Sequence, residues 1–436
     1  MTPVRRGRAL LGAVLGLTLP TLPIAAAAQS FTWQGSGQAR LESNSNLSLQ
    51  PDAGGTVVSR SVSASLNAQR STEATQTQGD AELILTPSER DSGTAALGRL
   101  SLRHRLSAPR DTWTGSLAYR RDRTLDGSPS ATATASASAS ASASATDVAV
   151  GRSDRTVEEA NLSWSHAFSE RLDSEVDASH SRTALRKVDA SIAADSDYAL
   201  SSASAGLRHA WRETTSLSAT LSRTEQRPLG TSPATALGRS RIDSLRLAVN
   251  EVLSESGSAG LSVARSNTTR DFSLSSLVCP LPVQFCQGGI VRYVLATTPA
   301  RTRSHDLQYS ANASLRLNET TAAAARVARS LSPGALGVTR EDVLNLSVNR
   351  SFSEYTSAGL AFDLSRSLQA VNGKGGASSA LRSLSASASH RLGEQLTLSM
   401  QLQSRHYERP SPQVGASSTV FSISLQYQGP TVPGWR

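Results

Sequence analysis

Between residues 307 and 317 the chain alternates without a break. Leu307, Tyr309, Ala311, Ala313, Leu315 and Leu317 fall on one parity, and Gln308, Ser310, Asn312, Ser314 and Arg316 on the other. Successive strand side chains point to opposite faces, so this segment has one apolar wall and one wet wall. Helical winding would smear both sets around the axis. The same motif, an alternating run into a tight polar turn and out again, recurs seven times, and it predicts antiparallel hairpins.

The turns repeat as visibly as the strands. His166-Ala167-Phe168-Ser169-Glu170, His209 to Glu213, Glu251 to Glu255, Arg316 to Glu319, Arg350 to Glu354 and His390 to Glu394 share one layout. An apolar or aromatic residue ends the strand, a small or polar one follows, and Glu opens the return. Leu106–Asp111 and Arg70–Glu73 fit with less fidelity and bring the short turns to eight. Longer connections, rich in Gly, Pro and Ser, are expected at 51–55, 87–94, 124–154, 186–196, 227–240, 270–302, 331–340, 370–377 and 409–416. Eight short turns between nine long loops make about 18 strands, within bounds of 16 to 20. Short turns on one rim and long loops on the other is the asymmetry of outer-membrane barrels, the short turns being periplasmic.

Export fits that reading. Arg5, Arg6 and Arg8 precede an apolar stretch from Ala9 to Leu22, and Ala25 to Ala28 offers small residues for cleavage. Residues 1–28 therefore read as a secretory signal peptide. No other stretch approaches the ~20 apolar residues of a spanning helix. Residues 29–436 read as one all-β domain, a transmembrane antiparallel up-and-down β-barrel. Aromatic content of 4% and a hydrophobic fraction of 38% are thin for a soluble protein of this size. A barrel with a watery lumen needs no packed interior. Composition alone also suits disorder, and the two-residue period decides for strands.

Charge excludes one function class. The net charge of +9 is carried almost wholly by arginines scattered one or two per strand, without a basic run or aromatic platform. Nucleic acid is therefore not expected as a partner. Cys279 and Cys286 are the only cysteines, and in an oxidising compartment they are expected to close a small disulfide loop. No nucleophile elbow, His-Glu-x-x-His, phosphate loop or dinucleotide fingerprint appears, so neither an enzyme nor a cofactor or metal is expected. The Ala/Ser/Thr alternation from Ser130 to Thr146 reads as a flexible part of the 124–154 loop.

Two residue sets follow from parity. Trp113, Trp164, Phe168, Trp211, Phe352 and Tyr355 cluster at the short-turn ends, where an aromatic interface belt belongs. His104, His166, His209 and His390 hold one outward place there. Glu251 and Arg350 occupy that place in other repeats, which favours an amphipathic ring over a metal or pH site. Arg99, Arg103, Arg120, Arg208, Arg246 and Arg316 lie opposite in parity to their apolar neighbours and should face a lumen. There they would attract anions, unless they pair with Asp173, Asp177, Asp243 and Asp306 and only brace the wall, which alternating signs along the strands favour.

The run from Gly37 to Leu47, Gly-Gln-Ala-Arg-Leu-Glu-Ser-Asn-Ser-Asn-Leu, resembles porin-like outer-membrane barrels encoded beside bacterial exopolysaccharide or exosortase systems, and so do the Arg-rich hairpins with Phe-Ser-Glu and Leu-Gly-Glu turns. The resemblance implies a role in envelope export or surface polysaccharide. One departure is the tail: barrels of this kind end on an aromatic residue read by the insertion machinery, and this chain runs past Tyr427 to Trp435 and Arg436. Phe421, Ile423, Leu425 and Tyr427 would serve as the signal with a tail appended. The expectation is a passive conduit or structural element in the outer membrane of a Gram-negative bacterium, exported by the general secretory route. Its partners would be lipid, the barrel-insertion machinery and an anionic solute or polysaccharide. The competing expectation is a secreted, adhesin-like protein of tandem antiparallel β modules.

Overall fold

The computed structural model describes residues 30–46, 55–87, 94–124, 153–187, 197–229, 238–279, 294–334, 337–369, 378–410 and 413–433. The signal segment 1–28, the Ala/Ser/Thr run and Cys286 lie outside them. Eighteen long strands follow in chain order. They are β1 (Ser30–Asn44), β2 (Val57–Ser71), β3 (Thr75–Pro87), β4 (Thr94–Ser107), β5 (Asp111–Thr124), β6 (Ser153–Ala167), β7 (Leu172–Lys187), β8 (Tyr198–Ala210) and β9 (Thr215–Pro228). The second half comprises β10 (Arg239–Ser254), β11 (Gly257–Val278), β12 (Val294–Asn318), β13 (Thr321–Gly334), β14 (Gly337–Ser351), β15 (Thr356–Gln369), β16 (Ser378–Arg391), β17 (Leu396–Pro410) and β18 (Gln413–Gln428). A two-residue β19 (Val432–Pro433) ends the described chain.

Each strand pairs antiparallel with its sequence neighbours, and β18 pairs back onto β1 from Gln428↔Ser36 to Val420↔Asn44. The sheet is thus one closed 18-stranded barrel. Tandem modules are ruled out, because modules would each close locally and this ring closes only once, between its two ends. β19 prolongs the seam: Val432 pairs with Trp33 and Pro433 with Thr32, after the Gly429 amide donates to the Gly35 carbonyl at 2.8 Å. A Cβ on Gly429 would stand 2.9 Å from that oxygen, so glycine is needed at this close approach.

The inside face follows from what the ring brings together. Gln38 and Arg40 of β1 share a cavity of about 770 Å³ with Arg316 and Asn318 of β12, seven strands away. Side chains of their parity face the lumen. The opposite parity carries Leu41, Val62, Leu83, Leu100, Leu245, Leu307, Leu360 and Phe421, all exposed on the outer face. The described core is correspondingly meagre, with Tyr407, Ala416 and Leu381 as its one cluster. Ladders, not a packed interior, hold the wall.

The eight short turns fall where the sequence places them, with one correction. Glu170, Glu354 and Glu394 sit inside four-residue turns and do not open the return strands, which resume at Leu172, Thr356 and Leu396. Serine makes the bend. Ser169 Oγ accepts from the Leu172 amide at 3.1 Å, and Ser353 Oγ accepts from those of Tyr355 and Thr356 at 3.2 and 3.1 Å.

Three expected loops are largely strand. β13 and β14 pair up to Gly334↔Gly337, and β17 and β18 up to Pro410↔Gln413. β11 and β12 continue through most of 270–302 to Val278↔Val294. Here the wall splits. β12 meets β13 only from Tyr309↔Arg329 to Asn318↔Thr321, and β10 leaves β11 at Arg239↔Asp271, so the β11–β12 hairpin projects past both neighbours. Pro299 lies in that one-sided ladder, where its missing N–H costs little.

The two faces predict unequal tolerance. Met400 is on the outer face and Gln401 on the inner one. Met400→Arg should cost roughly 2–4 kcal/mol if Met400 sits near the bilayer midplane, and Gln401→Arg should stay within about 0.5 kcal/mol. Urea unfolding of the barrel refolded into phosphocholine vesicles reads both, and equal costs would contradict the assignment of faces.

Candidate functional site

The inner wall is a lattice of short polar side chains between longer arginines. Antiparallel pairing sets serine against serine: Ser36 with Ser65, Ser179 with Ser202, Ser222 with Ser244 and Ser262 with Ser310, all at 2.6–2.7 Å. Carboxylates are tied into the same lattice. Asp80 accepts from Asn67 at 2.5 Å and Ser101 at 3.2 Å, Asp177 from Ser204 at 3.1 Å, Asp363 from Asn345 at 2.6 Å and Glu341 from Ser365 at 3.0 Å. A carboxyl group on one or two methylenes cannot reach far past its strand, whereas a guanidinium on three can.

The six arginines singled out by parity all lie on this inner face. Arg99 and Arg120 are direct cross-strand partners, and Arg103 lies opposite Gln78 and Ser116. Arg208 lies opposite Asp173, Arg246 opposite Ala264, and Arg316 opposite Ala322. Arg99, Arg103, Arg208, Arg246 and Arg316 are exposed, and among the described residues none has a carboxylate within ion-pair distance. Arg120 differs: its Nε is 3.1 Å from Asp122, which Arg155 clamps through Nε at 2.9 Å and through a second nitrogen at 2.7 Å. Arg155, buried on β6, escaped the sequence reading because its cross-strand partner is 33 residues away. The bracing expected from Asp243 does not occur, since that residue is on the outer face, 2.6 Å from Arg223 and 2.8 Å from Arg241.

The wall also folds sharply. Beyond the split at Tyr309, β13 touches β9 and β10, strands four and three places away. Small inward residues permit this. Ser240 and Ser266 are 0% exposed, and Ala264, Ala328 and Ile242 are buried. Ser240 Oγ donates to Gln226 Oε1 at 3.0 Å, and the Gln308 amide donates to Ser266. No local sequence signal marks this crease.

At the short-turn rim, Trp113 and Trp164 stack at 5.5 Å between centroids, and Trp164, His166 and Phe168 continue the row at 5.9 and 4.7 Å. Phe168, Trp211, Phe352 and Tyr355 are exposed on the outer surface or in the turns. Phe31, Trp33 and Tyr427 are exposed at the same rim. The sequence reading passed over the first two, although they alternate directly opposite the Arg70–Glu73 turn. The histidines bond across strands: His166 Nδ1 to Asp111 at 2.8 Å, His104 Nδ1 to Thr77 at 2.8 Å and His390 Nδ1 to Thr356 at 2.8 Å. Glu251, in the equivalent place, accepts from Thr214 at 3.0 Å and from Thr215. Among the described residues no cysteine is free and no group of three acidic, His or Cys side chains is placed to hold a metal.

Asp122 joins Arg120 and Arg155 on the inner wall. Asp122→Asn should destabilise the barrel by roughly 1.5–3 kcal/mol, because the charge-assisted bonds from buried Arg155 to this carboxylate are lost. Arg155→Gln in the same chain should restore part of that loss in urea unfolding. Full additivity of the two changes would contradict the clamp.

No family model matches the chain, and neither does any curated protein sequence. Solved barrels are similar over most of its length. OpdK of Pseudomonas aeruginosa, solved with vanillate, is 10% identical, with 91% of this chain and 98% of that one covered and a TM-score of 0.46. OccAB4 of Acinetobacter baumannii is 8% identical, covering 92% and 98%, at 0.45. The ferric yersiniabactin uptake receptor FyuA of Yersinia pestis is 10% identical, covering 90% and 65%, at 0.49. At these values the likeness bears on neither solute nor mechanism.

Proposed function

We propose that the chain is a passive conduit of the Gram-negative outer membrane whose lumen favours small anions, acidic saccharides among them. One observation carries this: five arginines of inward parity have no described carboxylate within ion-pair distance, while several inward carboxylates are hydrogen-bonded into the wall. Mobile ions therefore meet positive tips first, and cations lose ground to anions. The resemblance to barrels encoded beside exopolysaccharide systems fits acidic glycans as the larger members of that solute class. The structural reading has its own support in the crease over β10–β13, where inward side chains are buried against one another.

Conductance separates the two. The refolded protein in a planar bilayer under a KCl gradient should show a reversal potential of the sign set by chloride. Replacing Arg99, Arg103, Arg208, Arg246 and Arg316 together by glutamine should move it towards zero. Cation preference, or a selectivity indifferent to those five changes, would refute the conduit as stated. A folded barrel that does not conduct would favour the structural role.

The route to the membrane belongs to the same proposal. Removal of residues 1–28 leaves β1 to start at Ser30, one residue into the mature chain, and the oxidising periplasm then closes Cys279 onto Cys286. The intact mass of protein taken from membranes should begin at Gln29 and be two hydrogens lighter than the reduced chain. Two free thiols by alkylation would refute the bridge.

A further inference from the structure

The outer face carries arginines that neither the lumen nor the aromatic belt uses. Arg60, Arg223, Arg265, Arg329, Arg366 and Arg382 each lie on the outward parity, on six different strands. Each is the next same-face residue beyond an aliphatic one: Val62, Leu221, Val263, Val327, Leu364 and Leu384. On β16, Arg382 stands eight residues from His390 of the short-turn ring, roughly 20 Å along the barrel axis for a strand tilted by ~40°. That is close to the height of an apolar band. A separate feature marks the same level. The β12–β13 ladder stops at Tyr309↔Arg329, and the β12 backbone beyond it has no strand partner on that side, which only water or headgroups tolerate. The arginine girdle therefore sits at the far edge of the hydrocarbon.

The girdle is richest over β9–β12. There three described outward carboxylates on the long-loop side already have cations: Asp243 holds Arg223 and Arg241, Glu225 holds Arg227 and Arg239, and Asp271 holds Arg301 at 2.8 Å. Arg265 and Arg303 remain. Both are exposed, and no described carboxylate lies within ion-pair distance of either. Arg265 is flanked by Leu245 on one strand and Leu307 on the other, so its guanidinium must rise out of apolar surface to find a counter-charge. Directly beneath is a groove of about 810 Å³ on the outer wall. Ala178, Ala203 and Ala205 form its floor, Val176, Leu221 and Leu245 its sides, and Arg223, Arg265 and His305 its upper rim. Small residues between taller ones leave a trough, and its outward carboxylate, Asp243, is already held by Arg223 and Arg241.

We propose that this trough and its rim form a specific site for a phosphate-bearing, acylated lipid of the outer leaflet. The chain would lie in the alanine trough, and the phosphate oxygens would accept hydrogen bonds from Arg265, which lines it, and from Arg303, two outward positions farther along the β11–β12 hairpin. The site depends on the outer wall meeting lipid and is independent of solute selectivity in the lumen, so conductance and lipid binding fail separately.

The mature protein, folded in neutral detergent, is equilibrated with dipalmitoyl phosphatidic acid or, separately, with dipalmitoyl glycerol. Lipid retained per barrel is then measured after low-salt and high-salt washes. Phosphatidic acid should be retained and the uncharged lipid lost, and high salt should strip most of what low salt leaves. Arg265→Gln with Arg303→Gln should lower retention by about fivefold or more, and Arg265→Lys with Arg303→Lys should keep part of it, since the charge stays and the bidentate fork goes. Ala203→Phe should displace the chain with the arginines intact. Equal retention of both lipids, or binding of phosphatidic acid by the wild-type barrel that ignores salt, would overturn the site even if a variant failed to fold. Retention unchanged in the folded double glutamine variant would also overturn it.

Discussion

A backbone amide left unpaired in hydrocarbon costs several kcal/mol, and that penalty dictates this architecture. A strand offers polar groups on both edges, so a spanning sheet must return to its own beginning. β18 does so on β1, and the short β19 carries the pairing down to Trp33. Once the ring is closed, little is asked of the interior. Seventeen strand-to-strand ladders and a seam replace a core, which is why a chain dominated by Ser and Ala, with few aromatics, can fold at all. Where hydrocarbon ends the demand lapses, and β12 leaves β13 at that level.

Closure also gives each side chain one of two environments, and side-chain length then sorts the charges. Inside, Asp80, Asp177, Asp363 and Glu341 stay within the serine and asparagine lattice. Outside, arginines stand next to leucine and valine on the same face. Arginine thus occurs on both parities of the wall. Alanine and serine contribute by being small. On the inner face they allow the crease at Ser240, Ser266 and Ala328, and on the outer face they leave the trough at Ala178, Ala203 and Ala205.

Much of this is legible in the sequence, because strand parity is local. The eighteen strands and the eight short turns follow from counting alternate residues. What escaped is non-local or was masked by composition. Residues 270–302 look like a loop because Pro280, Pro282 and the cysteines interrupt them, yet Phe272 and Leu274 continue the ladder of β11 against β12. Asp243 was read as an inward brace although it shares parity with Leu245 and Leu247, and the same oversight hid Arg223 and Arg265. The signal was present: same-face position just beyond an aliphatic residue. The crease and the Arg155–Asp122 clamp had no such mark, since curvature and pairs 33 residues apart are set by the closed ring.

Two solvents on one strand is the claim from which the rest follows, and β12 is the place to measure it. Spin labels placed singly at residues 307 to 317 of the reconstituted barrel report collision with oxygen, which concentrates in lipid, and with a polar nickel chelate confined to water. Accessibility should oscillate with a period of two and with the reagents out of phase, oxygen highest at odd positions and nickel at even ones. Profiles that rise and fall together, or show no two-residue period, would contradict a wall with lipid on one side and water on the other.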